Sequence, residues 1–213
     1  ATYHNTLNMV LSRYNIPVYL SGTEDILSKN VITTVLSAID AAVEGYGQED
    51  VLRYLRSALS PLSMDDCDRL ENYAILWNIS GNRWNTNWEN HPNGLNNDWT
   101  ESDKEYLNAL NLARKTALDP LFLLGKSLRN AINLQQMVEA VYVFLDEIQL
   151  NMRLQAFAEQ LSRAGDFRDG QVLSQLWEIL LSALEQLEDM LGDTHWDDKT
   201  FTRLLKLLLS QYD

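Results

Sequence analysis

Apolar residues recur every three or four positions through most of this 213-residue chain, and this spacing restricts its fold more than any other feature. Such a repeat places the apolar side chains on one face of an α-helix. The longest stripe is nearly a heptad seam, but it covers few enough turns to suit a helical bundle as well as a coiled coil. Its members are Leu173, Leu176, Trp177, Leu180, Leu184, Leu187 and Leu191. The sequence therefore predicts an all-α fold, a multi-helix bundle.

Helix-breaking and capping residues predict where the helices begin and end. Gly45 is placed to end one helix, and Ser63 opens a sequence similar to a capping box. We expect the pair Asp119-Pro120 to break a helix, because proline has no amide hydrogen and restricts the residue before it. The predicted helices cover about residues 1–14, 31–43, 48–59, 64–77, 100–118, 121–130, 134–164, 171–191 and 197–211.

Two segments depart from the helical spacing. Residues 16–20 read IPVYL, and these β-branched and aromatic residues predict one short extended segment near the N-terminus. Residues 78–99 have no helical period and contain eight asparagines, two glycines and a proline. We expect this Trp/Asn-rich loop to be either functional or packed by its own side chains, as long ordered loops usually are.

The tryptophans of this loop are the candidate contact residues. Arg83, Trp84 and Trp88 lie close together in sequence, and exposed indoles beside an arginine can stack on the bases of a single strand. The same residues could anchor a partner protein, because Trp and Arg are frequent in interface hot spots. The alternative is that the indoles pack beneath the loop and fix it to the helices. We favour this alternative, because an indole has a large apolar area to bury.

The sequence contains no recognisable catalytic apparatus. Cys67 is the single cysteine, which excludes an internal disulfide and a cysteine-based zinc or iron–sulfur site within the chain. Three aspartates beside it are expected to disfavour its thiolate. The tempting cluster is His195 with Asp197 and Asp198, but these acids are better explained as the N-cap and first turn of the last helix. Phosphate-binding loops, dinucleotide-binding turns and hydrolase elbows are absent from the sequence.

Charge and hydropathy limit the partners. A net charge of −13 opposes independent binding to DNA, because nucleic acids are held mainly through neutralisation of their phosphates. Apolar runs are far shorter than the roughly 20 residues that span a bilayer, and the N-terminus does not read as a signal peptide. We therefore expect a cytoplasmic protein without a membrane segment. The abrupt start without methionine suggests a domain excised from a larger chain.

Three stretches resemble one protein family. Residues 13–20 read RYNIPVYL and precede a predicted helix, as at the start of the second motor region in UvrD-like helicases. Residues 50–57 and 68–73, with Trp77, Gly81, Arg83 and Trp84 after them, resemble the B subunits of the bacterial AddAB (RexAB) helicase–nucleases. Residues 107–114 and the closing helix around Phe201 fit the segment that precedes the later helicase motifs of that family. The resemblance covers essentially the whole chain.

The resemblance implies a role in DNA repair. Family members work with an AddA/RexA-like helicase–nuclease subunit and process double-strand DNA ends for recombination. By this resemblance, residues 1–213 form one accessory domain of the 2B type, with a helicase-like lead-in over 1–45, helices and loop over 46–118, and long helices over 119–213. ATP, magnesium and an iron–sulfur cluster would belong to the intact protein, with their motifs outside this segment.

The sequence therefore predicts a non-catalytic accessory domain of an ATP-dependent helicase/exonuclease subunit, with no cofactor, metal or catalytic residue of its own. It would contact the partner subunit and DNA through the intact complex. The alternatives are a stand-alone helical protein-interaction adaptor and a small enzyme that uses His195 and Asp197.

Overall fold

The computed structural model describes residues 30–57, 60–165, 167–191 and 193–210, which form eight α-helices and contain no strand. The predicted all-α class is thereby confirmed for the described residues. The extended segment predicted at 16–20 lies outside them, as does the helix predicted before it. The helices are α1 (Asn30–Val43), α2 (Gln48–Leu55), α3 (Met64–Leu76), α4 (Glu101–Asn130), α5 (Leu134–Glu147), α6 (Leu150–Arg163), α7 (Phe167–Leu191) and α8 (Asp198–Leu209).

Side-chain caps begin four of these helices. Ser63 accepts a hydrogen bond from the backbone of Asp66 at the start of α3, and Asn133 caps α5 in the same way. Thr100 and Asp103 form a complete capping box at the start of α4. Asp197 caps α8, as the sequence predicts. These caps satisfy backbone N–H groups that have no partner within the first turn.

Helix α1 lies at the centre of the core and packs against α2, α4, α7 and α8. Its side chains at Ile32, Val35 and Ile39 have no solvent exposure. Asp40 forms an ion pair with Lys206 of α8, with Nζ 2.8 Å from Oδ2. Nη1 of Arg129, from the last turn of α4, donates to the carbonyl of Ala42 at 3.2 Å. Helix α4 is thereby fixed to the C-terminal end of α1.

The predicted helix break at Asp119-Pro120 is wrong, because α4 continues through Pro120 to Asn130. Proline removes one intrahelical hydrogen bond and costs roughly 3 kcal/mol in a helix interior. Leu118, Leu121 and Leu124, on both sides of the proline, are almost fully buried in the same core. Burial of a leucine side chain contributes about 1.5–3 kcal/mol, so packing of the three offsets that cost.

The helix predicted over 134–164 is instead two helices, α5 and α6, which meet at Gln149. Gln149 has a left-handed backbone with φ of 52°. Its neighbours Ile148 and Leu150 are both buried, with exposed fractions of 2% and 0%. Residues two positions apart would point in nearly opposite directions on a continuous helix. The left-handed residue reorients the chain so that both side chains enter the core.

Candidate contact surface of the Trp/Asn-rich loop

The loop at residues 78–99 is an ordered structure with one short 3-10 turn, Gly81–Trp84. Four of its residues have left-handed backbones, namely Asn78, Gly81, Gly94 and Asn96. Glycine adopts this conformation without a steric cost, and asparagine does so more readily than other residues. The amide of Gly81 donates to the carbonyl of Tyr46 at 2.9 Å, which joins the loop to the segment after α1. The composition of the loop therefore has a structural reason.

The two central tryptophans of the loop are part of the protein core. Trp84 has an exposed fraction of 0% and Trp88 one of 4%. The Trp88 ring stacks on Tyr73 of α3 with centroids 4.6 Å apart and an interplanar angle of 11°. This placement agrees with the alternative favoured from the sequence, in which the indoles pack beneath the loop. Neither indole offers a face to solvent in this structure.

Arg83 is exposed, but it also has a structural role. Its Nη1 donates to the carbonyl oxygens of Trp77 at 2.9 Å and Asn78 at 3.0 Å. These carbonyls lie at the C-terminal end of α3, where backbone acceptors have no helical partner. The carbonyl of Arg83 accepts from Nε1 of Trp88 at 3.1 Å. Contact of Arg83, Trp84 or Trp88 with DNA or a partner stays a prediction.

Two polar residues of α4, Asn111 and Arg114, hold the loop from below, and neither is among the residues predicted from the sequence. Asn111 accepts a hydrogen bond from the Trp88 amide and donates to the Trp88 carbonyl, both at 2.9 Å. Arg114 donates to the carbonyl of Trp84 at 2.6 Å. A signal exists, because both residues occur at helical spacing within the stripe formed by Leu107, Leu110, Ala117 and Leu118.

Arg114 is an unusual cation because it is 1% exposed and forms no ion pair with a carboxylate of the described residues. Burial lowers the pKa of its guanidinium, and the carboxylate of Asp119 acts in the opposite direction. The guanidinium carbon lies 5.6 Å from the centroid of the Trp88 ring, within the range of a cation–π interaction. The charge is therefore stabilised by a carbonyl and an aromatic face.

A second anchor joins the end of the loop to the start of α4. Nδ1 of His91 accepts from the amide of Asn93 at 3.1 Å, and its Nε2 lies 3.5 Å from Oδ2 of Asp103. Hydrogen bonds from the side chain and backbone of Thr100 lower the pKa of Asp103, and the proximity of His91 contributes less. The half-exposed ring of Trp99 lies against His91, with centroids 4.6 Å apart.

A groove runs between the loop and α4. It is lined by Tyr46, Asn82, Asn85, Phe122, Leu123, Lys126 and Arg129. Among the described residues, its lining contains two cations and no acidic residue. Tyr46 is 9% exposed, and its buried hydroxyl has no hydrogen-bond partner among the described residues. The groove thus brings two loop residues, Asn82 and Asn85, next to two cations of α4, Lys126 and Arg129.

The other residues considered for a chemical role make structural contacts. Cys67 is buried, and its Sγ donates to the carbonyl of Leu55 at 3.0 Å. Burial is the main reason that its pKa is raised, and the neighbouring acids add to the effect. Nδ1 of His195 lies 2.9 Å from the carbonyl of Ile132, while Asp197 caps α8. Within the described ranges, no three His, Cys, Asp or Glu side chains are grouped so as to hold a metal ion.

Hydropathy of the helices can be compared with the needs of a membrane span. Among the residues that the structure describes, no helix combines the length and apolar character that crossing a bilayer requires.

Curated bacterial proteins are similar to this chain over almost its whole length. A protein of Clostridium kluyveri is 27% identical over 216 residues, covering 99% of this chain, and one of Bacillus pumilus is 30% identical over 215 residues, covering 95%. A third, from Desulforamulus reducens, is 26% identical over 209 residues. The name of all three is that of the B subunit of an ATP-dependent helicase/deoxyribonuclease. No family model matches the chain.

The similarity covers only part of each relative. The chain spans 19% of the length of the Clostridium kluyveri protein and 18% of the other two. The resemblance to such B subunits is therefore confirmed for this segment.

Proposed function

We propose that this chain, which is homologous to a segment of the B subunits of bacterial ATP-dependent helicase/deoxyribonucleases, is a non-catalytic accessory domain of such a protein. The intact protein would process double-strand DNA ends in recombination repair together with an AddA/RexA-like partner. The observation that carries the proposal is the alignment of 99% of this chain with a segment of those proteins. The domain would shape the path of the DNA or the contact between the subunits.

The cofactors of the intact protein are proposed to lie outside this segment. An iron–sulfur cluster requires several cysteine thiolates, whereas this chain has only Cys67, which is buried and donates to the carbonyl of Leu55. ATP binding by a phosphate loop requires a glycine-rich sequence ending in Lys-Ser or Lys-Thr with fixed spacing, and this sequence has none. The residues of this chain therefore do not fit either group, and we assign no chemical step to them.

The Trp/Asn-rich loop is the proposed contact element. Arg83 would supply the contact, because its side chain is exposed at the loop surface. Trp84 and Trp88 would act from beneath, since their indoles are buried and fix the backbone on either side of Asn85. A change at either indole would alter the contact through the shape of the loop.

A protein-interaction adaptor is the second candidate, and exposed apolar residues favour it. Ile75 and Leu76 at the end of α3 are 58% and 50% exposed, and Leu95 in the loop is 77% exposed. Leu76 lies close to Gly94, the residue before Leu95, and clustered exposed apolar side chains often mark a protein interface. In the first proposal this surface would face the partner subunit, whereas in the second it would bind an unrelated protein.

The test uses the full-length protein assembled with its partner subunit. We expect an Arg83→Ala, Trp88→Ala variant to retain ATP hydrolysis, because the catalytic groups lie elsewhere, and to unwind less DNA per ATP. The matched control is Arg53→Ala, because Arg53 is also an exposed arginine but lies on α2, away from the loop. This variant should behave as wild type. Unchanged unwinding in a variant that assembles normally would contradict the proposal. Hydrolysis of ATP or cleavage of DNA by the purified 213-residue chain would contradict it more directly.

A further inference from the structure

The groove between the loop and α4 combines features that match one class of ligand. Phe122, Lys126 and Arg129 are spaced four and three positions apart on α4, so they form one stripe along the helix. All three line the groove, with Asn82 and Asn85 of the loop facing them. Aromatic, cationic and amide side chains thus share one concave surface.

The two cations of the stripe, Lys126 and Arg129, form no ion pairs within the part of the chain that the structure describes. Arg129 uses Nη1 for the carbonyl of Ala42 at 3.2 Å. In a chain with a net charge of −13, a groove whose described lining has two such cations and no acidic residue is a local exception.

Tyr46 supports the aromatic side of the groove, and its hydroxyl is buried against Gly125 of α4 rather than open to a ligand. Tyr46 is at least nine-tenths buried, and its hydroxyl has no hydrogen-bond partner among the described residues. The Tyr46 ring also packs edge-on against Phe122, with centroids 4.8 Å apart. The aromatic lining is therefore held in a fixed position.

We propose that this groove binds a single nucleic-acid strand, with Lys126 and Arg129 contacting its phosphates and Phe122 contacting a base. Single-strand sites combine a cationic track with aromatic side chains on which bases stack. Asn82 and Asn85 carry amide groups that can bond phosphate or base edges. An acidic protein segment would use the two cations but would leave the half-buried ring of Phe122 without a planar partner. The proposal rests on the proposed function in one respect only, namely that the bound strand would be DNA.

The experiment uses the full-length protein in its complex with the partner subunit. An oligothymidylate that carries photoreactive 4-thiothymidine is irradiated with the complex, and crosslinked peptides are identified by mass spectrometry. We expect crosslinks within residues 82–85 and 122–129. Lys126→Glu should reduce these crosslinks about tenfold, because it reverses one charge of the groove and breaks no bond recorded in the structure.

Lys115→Glu is the matched control, since Lys115 is exposed on the same helix and lines a different cleft. It should leave the crosslinks unchanged. Arg129→Gln keeps a donor for the Ala42 carbonyl while removing the charge, and it should lower the salt dependence of crosslinking by about 0.7 in the logarithmic slope. A loss for Lys126→Glu that is no larger than for Lys115→Glu would overturn the proposal.

Competitors distinguish the classes of ligand. Unlabelled oligothymidylate should abolish the groove crosslinks, and polyglutamate at equal charge should not. Stronger competition by polyglutamate would identify an acidic protein segment as the occupant and overturn the proposal. Crosslinks found only elsewhere in the complex would also overturn it, but would leave the accessory function in place. Conversely, normal unwinding by the Arg83→Ala, Trp88→Ala variant would contradict the accessory function, whereas groove crosslinks in the wild-type complex would still support binding at the groove.

Discussion

The Trp/Asn-rich loop and the C-terminal helices α5–α8 both contribute buried side chains to the core, but different interactions hold them in place. In α5–α8 the backbone groups bond within each helix, so side chains such as Leu180, Ala183 and Leu184 only fill space. In the loop, several backbone groups depend on side chains of other elements. Both backbone groups of Trp88 bond to Asn111, and the carbonyl of Trp84 bonds to Arg114.

This difference determines how well each region tolerates amino-acid substitutions. A helical core distributes its stability over many apolar contacts, and volume-conserving substitutions usually cost little. An irregular segment that is buried needs a specific partner for each backbone group, since an unsatisfied one costs about 1–3 kcal/mol. The loop therefore depends on a few individual polar residues, whereas the helices depend on total volume and pattern.

The largest effect is expected for the indole at the centre of the loop. Trp84→Ala should lower the free energy of unfolding by about 3–5 kcal/mol, because Trp84 is fully buried and its removal leaves a cavity. Leu184→Ala in α7, also fully buried, should cost about 2–5 kcal/mol. Urea unfolding of both variants at neutral pH measures the two values.

Similar costs would establish that the loop is as much a part of the core as α7 is. A Trp84→Ala cost below about 1 kcal/mol, typical of a surface position, would contradict the burial of this indole and make Trp84 a candidate for direct contact again. Trp84→Phe sharpens the result. It loses volume, but it also removes an indole N–H that has no hydrogen-bond partner among the described residues.

A single polar substitution should separate the two regions more clearly. Asn111→Ala should lower the free energy of unfolding by about 2–3 kcal/mol, because the buried amide and carbonyl of Trp88 lose their partner. Asn108→Ala, at an exposed position one turn earlier on α4, should change it by less than about 0.5 kcal/mol. Hydrogen exchange should report faster exchange of the Trp88 amide in Asn111→Ala. Equal effects of the two substitutions would mean that the loop does not depend on Asn111.

The helices can be predicted from the sequence to the extent that local signals decide them. The caps at Ser63 and Asp197 are predictable because the capping residue and its target are three positions apart. The errors at Pro120 and Gln149 have the opposite origin. Burial of the neighbouring leucines against other helices overrides a proline in one case, and burial of Ile148 and Leu150 imposes a left-handed turn without glycine in the other. Neither effect can be predicted from the local sequence, because both depend on which side chains the folded chain buries.

The candidate site divides in the same way. Composition predicts that residues 78–99 form a loop and that its tryptophans pack inward, because asparagine, glycine and tryptophan have strong individual preferences. The partners of the loop, Asn111 and Arg114, lie 23 and 30 positions from the groups that they bind. The groove depends on the angle between the loop and α4. The helical spacing of Phe122, Lys126 and Arg129 does not show which residues lie opposite them, so the groove cannot be predicted from the sequence.

The smallest expected effect lies where the two kinds of structure join, at Asp103. Its carboxylate caps α4 through Thr100 and faces His91 and Asn93 of the loop. The hydrogen bonds from Thr100 hold the pKa of Asp103 below its ordinary value of 3.8. A carboxyl whose pKa is lower in the folded than in the unfolded chain stabilises the fold above the unfolded value, and this contribution is lost as the pH falls through the folded value.

The free energy of unfolding should therefore decrease below about pH 4 more steeply in the wild-type chain than in Asp103→Asn. Urea midpoints measured from pH 6 down to pH 3 test this, with Asp98→Asn, an exposed aspartate of the same loop, as the control. Because Asp103 is close to solvent, the effect should be a small shift of the midpoint. Parallel curves for wild type and Asp103→Asn would mean that the capping box holds the helix start without its charge. The junction would then resemble the helices, which need shape alone, more than the loop, which needs particular partners.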